Sequence, residues 1–234
     1  MLRRITNELS RVAQAPGNAI SLLRCVRDIR SLSDDSSIQI LADFCFRYAI
    51  RPLQVPDELI RFFEVVSALQ AKNVMEIGTY NGGTLFMTCR VCDPGATIIS
   101  VDTSGGKLGH GYVLPRKFVY KRFTKKSQKL HLLRKDSHDP KTSDLVQSLL
   151  GGVPLDFLFI DGDHTYDGVR ADFEMYAPLV RKGGIIAFHD IVKHPPQVEC
   201  EVDRFWDEVK IRYSHNEIIK DPSQGWAGIG LLTI

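Results

Sequence analysis

From residue 72 onward, short apolar runs alternate with longer helical segments. This alternation constrains the fold more than any other feature of the sequence. The runs cover residues 74–77, 97–101, 130–133, 155–160, 185–188, 217–219 and 229–233. Most are apolar throughout, as strands buried on both faces of a parallel sheet are. Helical stretches at 83–92, 140–150, 167–181 and 198–213 lie between most of them. The pattern predicts an α/β fold with a doubly wound, mostly parallel sheet of seven strands and right-handed crossovers. The final pair, near 216–220 and 228–233, would supply one antiparallel strand. Ligands of such sheets bind beyond the carboxyl ends of the strands.

Residues 1–70 read differently. Ile38, Leu41, Ala42 and Cys45 follow helical spacing. Pro56 opens a second helix, with Leu59, Ile60, Phe63 and Val66 on one face. The expectation is a helical cap over 1–70, packed on a main domain over 71–234 and available as a dimer interface. Charged residues are 25% of the chain and the net charge is +2, so nothing in the charge calls for a nucleic-acid partner. No window reaches the length of an uncharged membrane span. Five cysteines, an odd number in a chain of 234 residues, argue against a disulfide framework. Six arginines fall in residues 1–30, but no apolar signal region follows them. The cytoplasm is the expected compartment. Residues 103–127 break the alternation with a Gly-rich start, and 103–135 hold ten Lys/Arg and no Asp or Glu. They read as a solvated basic loop and helix face, or as a mobile rim that binds an anionic or sugar-like substrate.

Four motifs sit just past strand ends. In Glu76-Ile77-Gly78-Thr79-Tyr80-Asn81-Gly82-Gly83-Thr84, a strand runs into a Gly-rich turn and a helix starts near Gly83. The free N–H groups of that helix start suit a ligand. Tyr80 stands where a dinucleotide fold needs its middle glycine, and Glu76 would repel a phosphate, so NAD is disfavoured. Asp102 ends the next strand, 24 residues after Gly78 and near the usual offset of a ribose-binding carboxylate. Thr103 follows it. Asp136 and Ser137, past the third strand, could bond an exocyclic amine and a ring nitrogen. The fourth strand ends in Asp161-Gly162-Asp163-His164 and the fifth in His189-Asp190. Neighbouring strand ends would gather Asp161, His164, His189 and Asp190 around one crevice. Carboxylates with imidazoles suit a divalent cation or a general base.

On these motifs the chain resembles class I S-adenosylmethionine-dependent methyltransferases with their Rossmann-like sheet. Within them it is similar to small-molecule O-methyltransferases of the catechol, sugar and antibiotic type. The resemblance covers roughly residues 70–234. It implies S-adenosylmethionine as cofactor, held at Glu76, Gly78, Thr79, Tyr80, Gly82, Gly83, Thr84, Asp102, Thr103, Asp136, Ser137 and Asp161. It implies Asp161, His189 and Asp190 as metal ligands, although members usually carry an acid where this chain has His189. It implies His164, three residues past Asp161, as the catalytic base, and a small-molecule hydroxyl as acceptor. The carboxylates favour Mg²⁺, and the His189 nitrogen moves the preference toward Mn²⁺ and softer ions. The competing reading is a nucleotide- or S-adenosylmethionine-binding module without catalysis. Cys89-x-x-Cys92 has no second pair for zinc, and Val202, Phe205, Trp206 and Val209 read as core packing. Tyr112, His138 and Trp226 are candidates for lining the acceptor pocket.

Overall fold

The computed structural model describes residues 18–103 and 114–234. Its strands are β1 (Asn73–Ile77), β2 (Thr97–Asp102), β3 (Lys129–Arg134), β4 (Leu155–Ile160), β5 (Val180–His189), β6 (Ser214–Ile218) and β7 (Ile229–Thr233). They form one sheet in the order β3-β2-β1-β4-β5-β7-β6. Among the described residues, β7 runs opposite to the other strands, pairing antiparallel with both β5 and β6, and the remaining pairs are parallel. This is the seven-stranded, doubly wound, Rossmann-like sheet expected from the alternation. The helices are α1 (residues 18–28), α2 (Ile38–Arg47), α3 (Pro56–Ala68), α4 (Gly83–Val91), α5 (Leu114–Tyr120), α6 (Pro140–Leu150), α7 (Tyr166–Tyr176) and α8 (Val202–Val209).

The period-two alternation of strand side chains divides the interior into two cores. On one face, Val74, Ile98, Phe157, Phe159 and Ala187 pack with Phe62 and Phe63 of α3 and Phe86 of α4. The first helices share this core through Cys25, Leu41, Phe44 and Cys45. On the other face, Met75, Ile77, Leu158, Ile160 and Phe188 pack with α6, α7 and α8. The Val202, Phe205, Trp206 and Val209 stripe is buried there. Full burial of a large apolar side chain contributes about 1.5–3 kcal/mol, so a four-residue stripe is ample reason for α8 to dock.

Several boundaries differ from the sequence expectation, each for a local reason. The helix expected over 167–181 ends at Tyr176, because Pro178 lies in a 3₁₀ turn (Ala177–Leu179) and β5 then starts at Val180. The helix expected over 198–213 starts only at Val202, because Val198 N–H bonds Pro195 O and Cys200 N–H bonds Val198 O in consecutive turns. The strand expected at 217–219 lies at Ser214–Ile218, with its first four residues exposed. It is an edge strand, so apolar content is a poor guide to it. The helix after Pro140 is capped by Asp139, whose side chain accepts from Lys141 N–H, and not by Asp136 or Ser137. Within 103–127, α5 occupies the middle. The Gly-rich start at 104–113, with Tyr112, lies outside the described residues.

Candidate functional site

The strand order reverses between β1 and β4, and the motifs collect at that switch. Gly78 follows β1 with φ +89°, and a Cβ there would lie 1.8 Å from the Asp161 carbonyl oxygen. Only glycine fits, and its absence of side chain seats the turn on the end of β4. Asp102, at the end of β2, accepts from Thr79 N–H (2.9 Å) and Tyr80 N–H (3.0 Å) through one carboxylate oxygen. Tyr80 holds φ +47° without being glycine. Its carbonyl is fixed by the buried Tyr120 hydroxyl at 2.9 Å. Gly82 caps α4, and Gly83 and Thr84 form the buried first turn of that helix. Glu76 is buried and accepts from Ser100 Oγ at 3.1 Å. Burial pushes its carboxyl up to about 8, against the pull of bonds from Thr84 and Ser100. Glu76 therefore holds its proton near neutral pH, and less repulsion of an anion follows than its formal charge suggests.

Past β3, Asp136 accepts from His138 N–H at 2.9 Å. The Ser137 carbonyl accepts from Tyr176 Oη at 2.7 Å. His138 Nε2 lies 3.1 Å from the Gly168 carbonyl and 3.3 Å from Asp172, a fully buried carboxylate on α7. The 136–138 loop is thus strapped to α7. Thr103, exposed, follows Asp102 at the edge of the described segment.

At the ends of β4 and β5, four expected residues meet. Asp161 Oδ1 lies 3.4 Å from His164 Nε2 and 3.3 Å from His189 Nδ1. Asp190 Oδ2 lies 3.2 Å from His164 Nδ1, and its Oδ1 lies 3.4 Å from His189 Nδ1. Asp190 sits at φ +64°, a conformation rare for a residue with a side chain. Its Oδ1 also accepts from Ala227 N–H at 3.0 Å. Such strain persists where surrounding contacts over-determine it, commonly at functional sites. Asp163 turns away from the cluster: its side chain accepts from Thr165 N–H and packs beneath Gly168 at the start of α7.

Charge balance holds this cluster together. Burial disfavours charge on every member. The two carboxylates nevertheless raise His164 to about 11 and His189 to about 10, and the imidazoles hold Asp161 and Asp190 below the usual carboxylate range. Asp161, His189 and Asp190 each offer a ligand atom within 4.8 Å of the others. Two carboxylates and an imidazole fit a divalent cation. A cation there would replace the protons as counter-charge to the same carboxylates.

Three neighbours have no signal in the sequence. Gln54, buried between α2 and α3, points its amide nitrogen at Asp161 Oδ2 (3.4 Å) and leaves its oxygen without a hydrogen-bond partner. His194 Nε2 lies 3.4 Å from Asp190 Oδ1. Cys200 joins His164 and Asp190 in a second group of possible ligands. Each reaches the site through a loop with no regular spacing. Glu58 of α3 adds a mechanical link, accepting from Lys220 N–H, Gly228 N–H and the Gln224 amide in the β6–β7 connection. Of the looser candidates, His138 serves the strap described above and Trp226 is part-exposed. Cys89 and Cys92 are buried and free.

Comparison with known proteins bears on the family and the fold. The chain is 30% identical over 138 residues to Uncharacterized protein R132 of Acanthamoeba polyphaga mimivirus, a match covering 58% of this chain and 60% of that one. It spans only 14% of a longer relative, Uncharacterized protein y4gI of Sinorhizobium fredii, at 29% identity over 54% of this chain. It is 25% identical to Probable caffeoyl-CoA O-methyltransferase 1 of Dictyostelium discoideum over 70% of this chain and 67% of that one. The fold is shared with the O-methyltransferase from Bacillus cereus solved with SAH: TM-score 0.56, 16% identity, 93% of this chain and 91% of that one. The family described as a methyltransferase domain matches residues 75–191, half of the chain, from the middle of β1 to just past β5. The protein belongs to the methyltransferase-domain family.

Proposed function

We propose that the protein transfers a methyl group from S-adenosylmethionine to a hydroxyl of a small molecule. The observation that carries this reading is the meeting of Asp161, His164, His189 and Asp190 within 3.5 Å contacts, beside a turn whose Gly78 packs on Asp161. The residues from Glu76 to Thr84 receive the methionine end of the cofactor. Asp102 and Thr103 take the ribose, and Asp136 and Ser137 the adenine. The helical segment before residue 71 acts as a cap that closes the acceptor side, contributing Gln54 to the Asp161 carboxylate. The five free cysteines suit a reducing compartment such as the cytoplasm.

The acceptor oxygen attacks the sulfonium methyl, the carbon–sulfur bond breaks, and S-adenosylhomocysteine leaves as a neutral thioether. His164 would take the hydroxyl proton in the state in which a cation, rather than the histidine protons, offsets Asp161 and Asp190 and leaves its imidazole neutral. Its two ring nitrogens face Asp161 and Asp190, which fix the ring and stabilise the imidazolium. Asp161, His189 and Asp190 would hold Mg²⁺ or Mn²⁺, which supplies Lewis acidity that lowers the pKa of an acceptor oxygen. The cofactor's turn and the cluster then align oxygen, carbon and sulfur.

The test is a panel of catechols, hydroxycinnamoyl thioesters and sugars, with S-adenosylhomocysteine and methylated product measured by mass spectrometry, before and after exhaustive chelation. Methylated product that vanishes in chelator and returns with Mg²⁺ or Mn²⁺ is expected. Binding of S-adenosylmethionine without product on any acceptor would favour a non-catalytic module, and full activity in chelator would remove the metal.

A further inference from the structure

The loop after β5 brings a sulfur donor to the cluster, beside His164 and Asp190. Val198 N–H bonds Pro195 O at 2.9 Å, Cys200 N–H bonds Val198 O at 2.8 Å, and Glu201 N–H bonds the His164 carbonyl at 2.8 Å. These bonds lay residues 198–201 along the loop that carries His164. The result is a second donor set, in which His164, Asp190 and Cys200 each present a ligand atom within 4.8 Å of the other two. His164 Nδ1 and Asp190 Oδ2 are 3.2 Å apart, and Asp190 is buried. Cys200 is part-exposed, whereas Cys25, Cys45, Cys89 and Cys92 are buried.

The two donor sets share Asp190 and differ in hardness. Asp161, His189 and Asp190 offer two carboxylates and one nitrogen. His164, Asp190 and Cys200 offer one nitrogen, one oxygen and one sulfur. Mg²⁺ takes oxygen ligands in octahedral geometry and gains little from a thiolate. Zn²⁺ is bound by this mixture of donors, and three protein ligands leave its fourth tetrahedral position to water.

We propose that His164, Asp190 and Cys200 form a second metal site, selective for Zn²⁺ over Mg²⁺, that inhibits methyl transfer. On binding, the Cys200 thiol releases its proton to solvent and the thiolate lone pair forms the metal–sulfur bond; no group is oxidised or reduced. The ion engages the His164 imidazole and draws Asp190 from the neighbouring set. The inhibitory part rests on His164 being the base in the function proposed above, whereas the site itself does not.

The experiment titrates the chelator-treated full chain with Co²⁺ in saturating Mg²⁺ and follows sulfur-to-cobalt charge transfer in the near ultraviolet. A saturable band in the wild type, its loss in Cys200→Ser of unchanged circular dichroism, and its removal by Zn²⁺ are expected. No band in the wild type, or one that survives in Cys200→Ser, overturns the site. Turnover on the acceptor found with the panel is then measured against Zn²⁺, with inhibition of the wild type and resistance of Cys200→Ser expected. A Cys200-dependent band with turnover indifferent to Zn²⁺ overturns the inhibitory role and the assignment of His164 as base, while leaving the site in place.

Discussion

The two halves of the site are built by different physics. On the side assigned to the cofactor, Asp102 is held by Thr79 and Tyr80 N–H groups, the Tyr80 carbonyl by Tyr120, and the Ser137 carbonyl by Tyr176. Every one of these bonds has a backbone partner, so the geometry survives changes of protonation elsewhere. On the side assigned to the acceptor, Asp161, His164, His189, Asp190 and His194 hold one another almost entirely by side-chain charge. That half is sensitive to any ion or proton that alters the balance. A cofactor common to many reactions calls for a rigid cradle, and activation of a hydroxyl calls for groups that exchange protons and metals.

The largest expected effect separates the halves by chemistry. His164→Ala should lower turnover about 10²–10⁴-fold, the usual contribution of a positioned general base, with little change in S-adenosylmethionine affinity. Steady-state rates alongside calorimetry read both quantities. Near-normal turnover would assign the proton to another group.

Next comes the joint between the halves. Gly78→Ala places a Cβ at φ +89° and 1.8 Å from the Asp161 carbonyl oxygen. The backbone conformation alone costs about 1–3 kcal/mol, and the overlap adds to it by pushing β1 from β4. Gly151→Ala, at φ +61° with nothing within 4 Å, should cost only about 1–2 kcal/mol. Urea denaturation of both variants measures the difference, and equal losses would show that the turn is not seated on β4.

A smaller effect concerns the strap beneath the 136–138 loop. The buried Asp172 carboxylate, 3.3 Å from the ring, raises His138 to about 9 against the opposing effect of burial, with Asp136 and Asp163 adding to it. A folded pKa above the unfolded value of about 6.5 stabilises the fold fully below pH ~6.5. That contribution is lost as pH rises through about 9. His138→Gln should flatten the decline in stability between those limits, seen in denaturation midpoints across pH. An unchanged profile would mean that another group titrates there.

What the sequence made legible follows from periodicity. β1, β4 and the α8 stripe are strong patterns, because burial on one or both faces forces apolar residues onto fixed spacings. β6 was misplaced, since an edge strand with Ser214, His215, Asn216 and Glu217 exposed carries no apolar signal. Asp161, His164, His189 and Asp190 could be brought together from sequence because parallel topology aligns neighbouring strand ends. Gln54, His194 and Cys200 could not, because they arrive on irregular loops whose course depends on turns such as Pro195–Val198. The same limit applies to Asp163, which shares its strand end with Asp161 and His164 yet bonds Thr165 N–H instead: the strand end fixes where a residue sits but not which way its side chain turns.

Asp102 is expected to belong to a cofactor cradle that works independently of the charged cluster. Calorimetric titration of S-adenosylmethionine into the wild type, Asp102→Ala and His164→Ala tests it most directly. The expected result is saturable binding in the wild type, a loss of about 1–3 kcal/mol in Asp102→Ala from removing a charged hydrogen-bond partner, and unchanged affinity in His164→Ala. No heat with the wild type, or equal weakening in both variants, would contradict it.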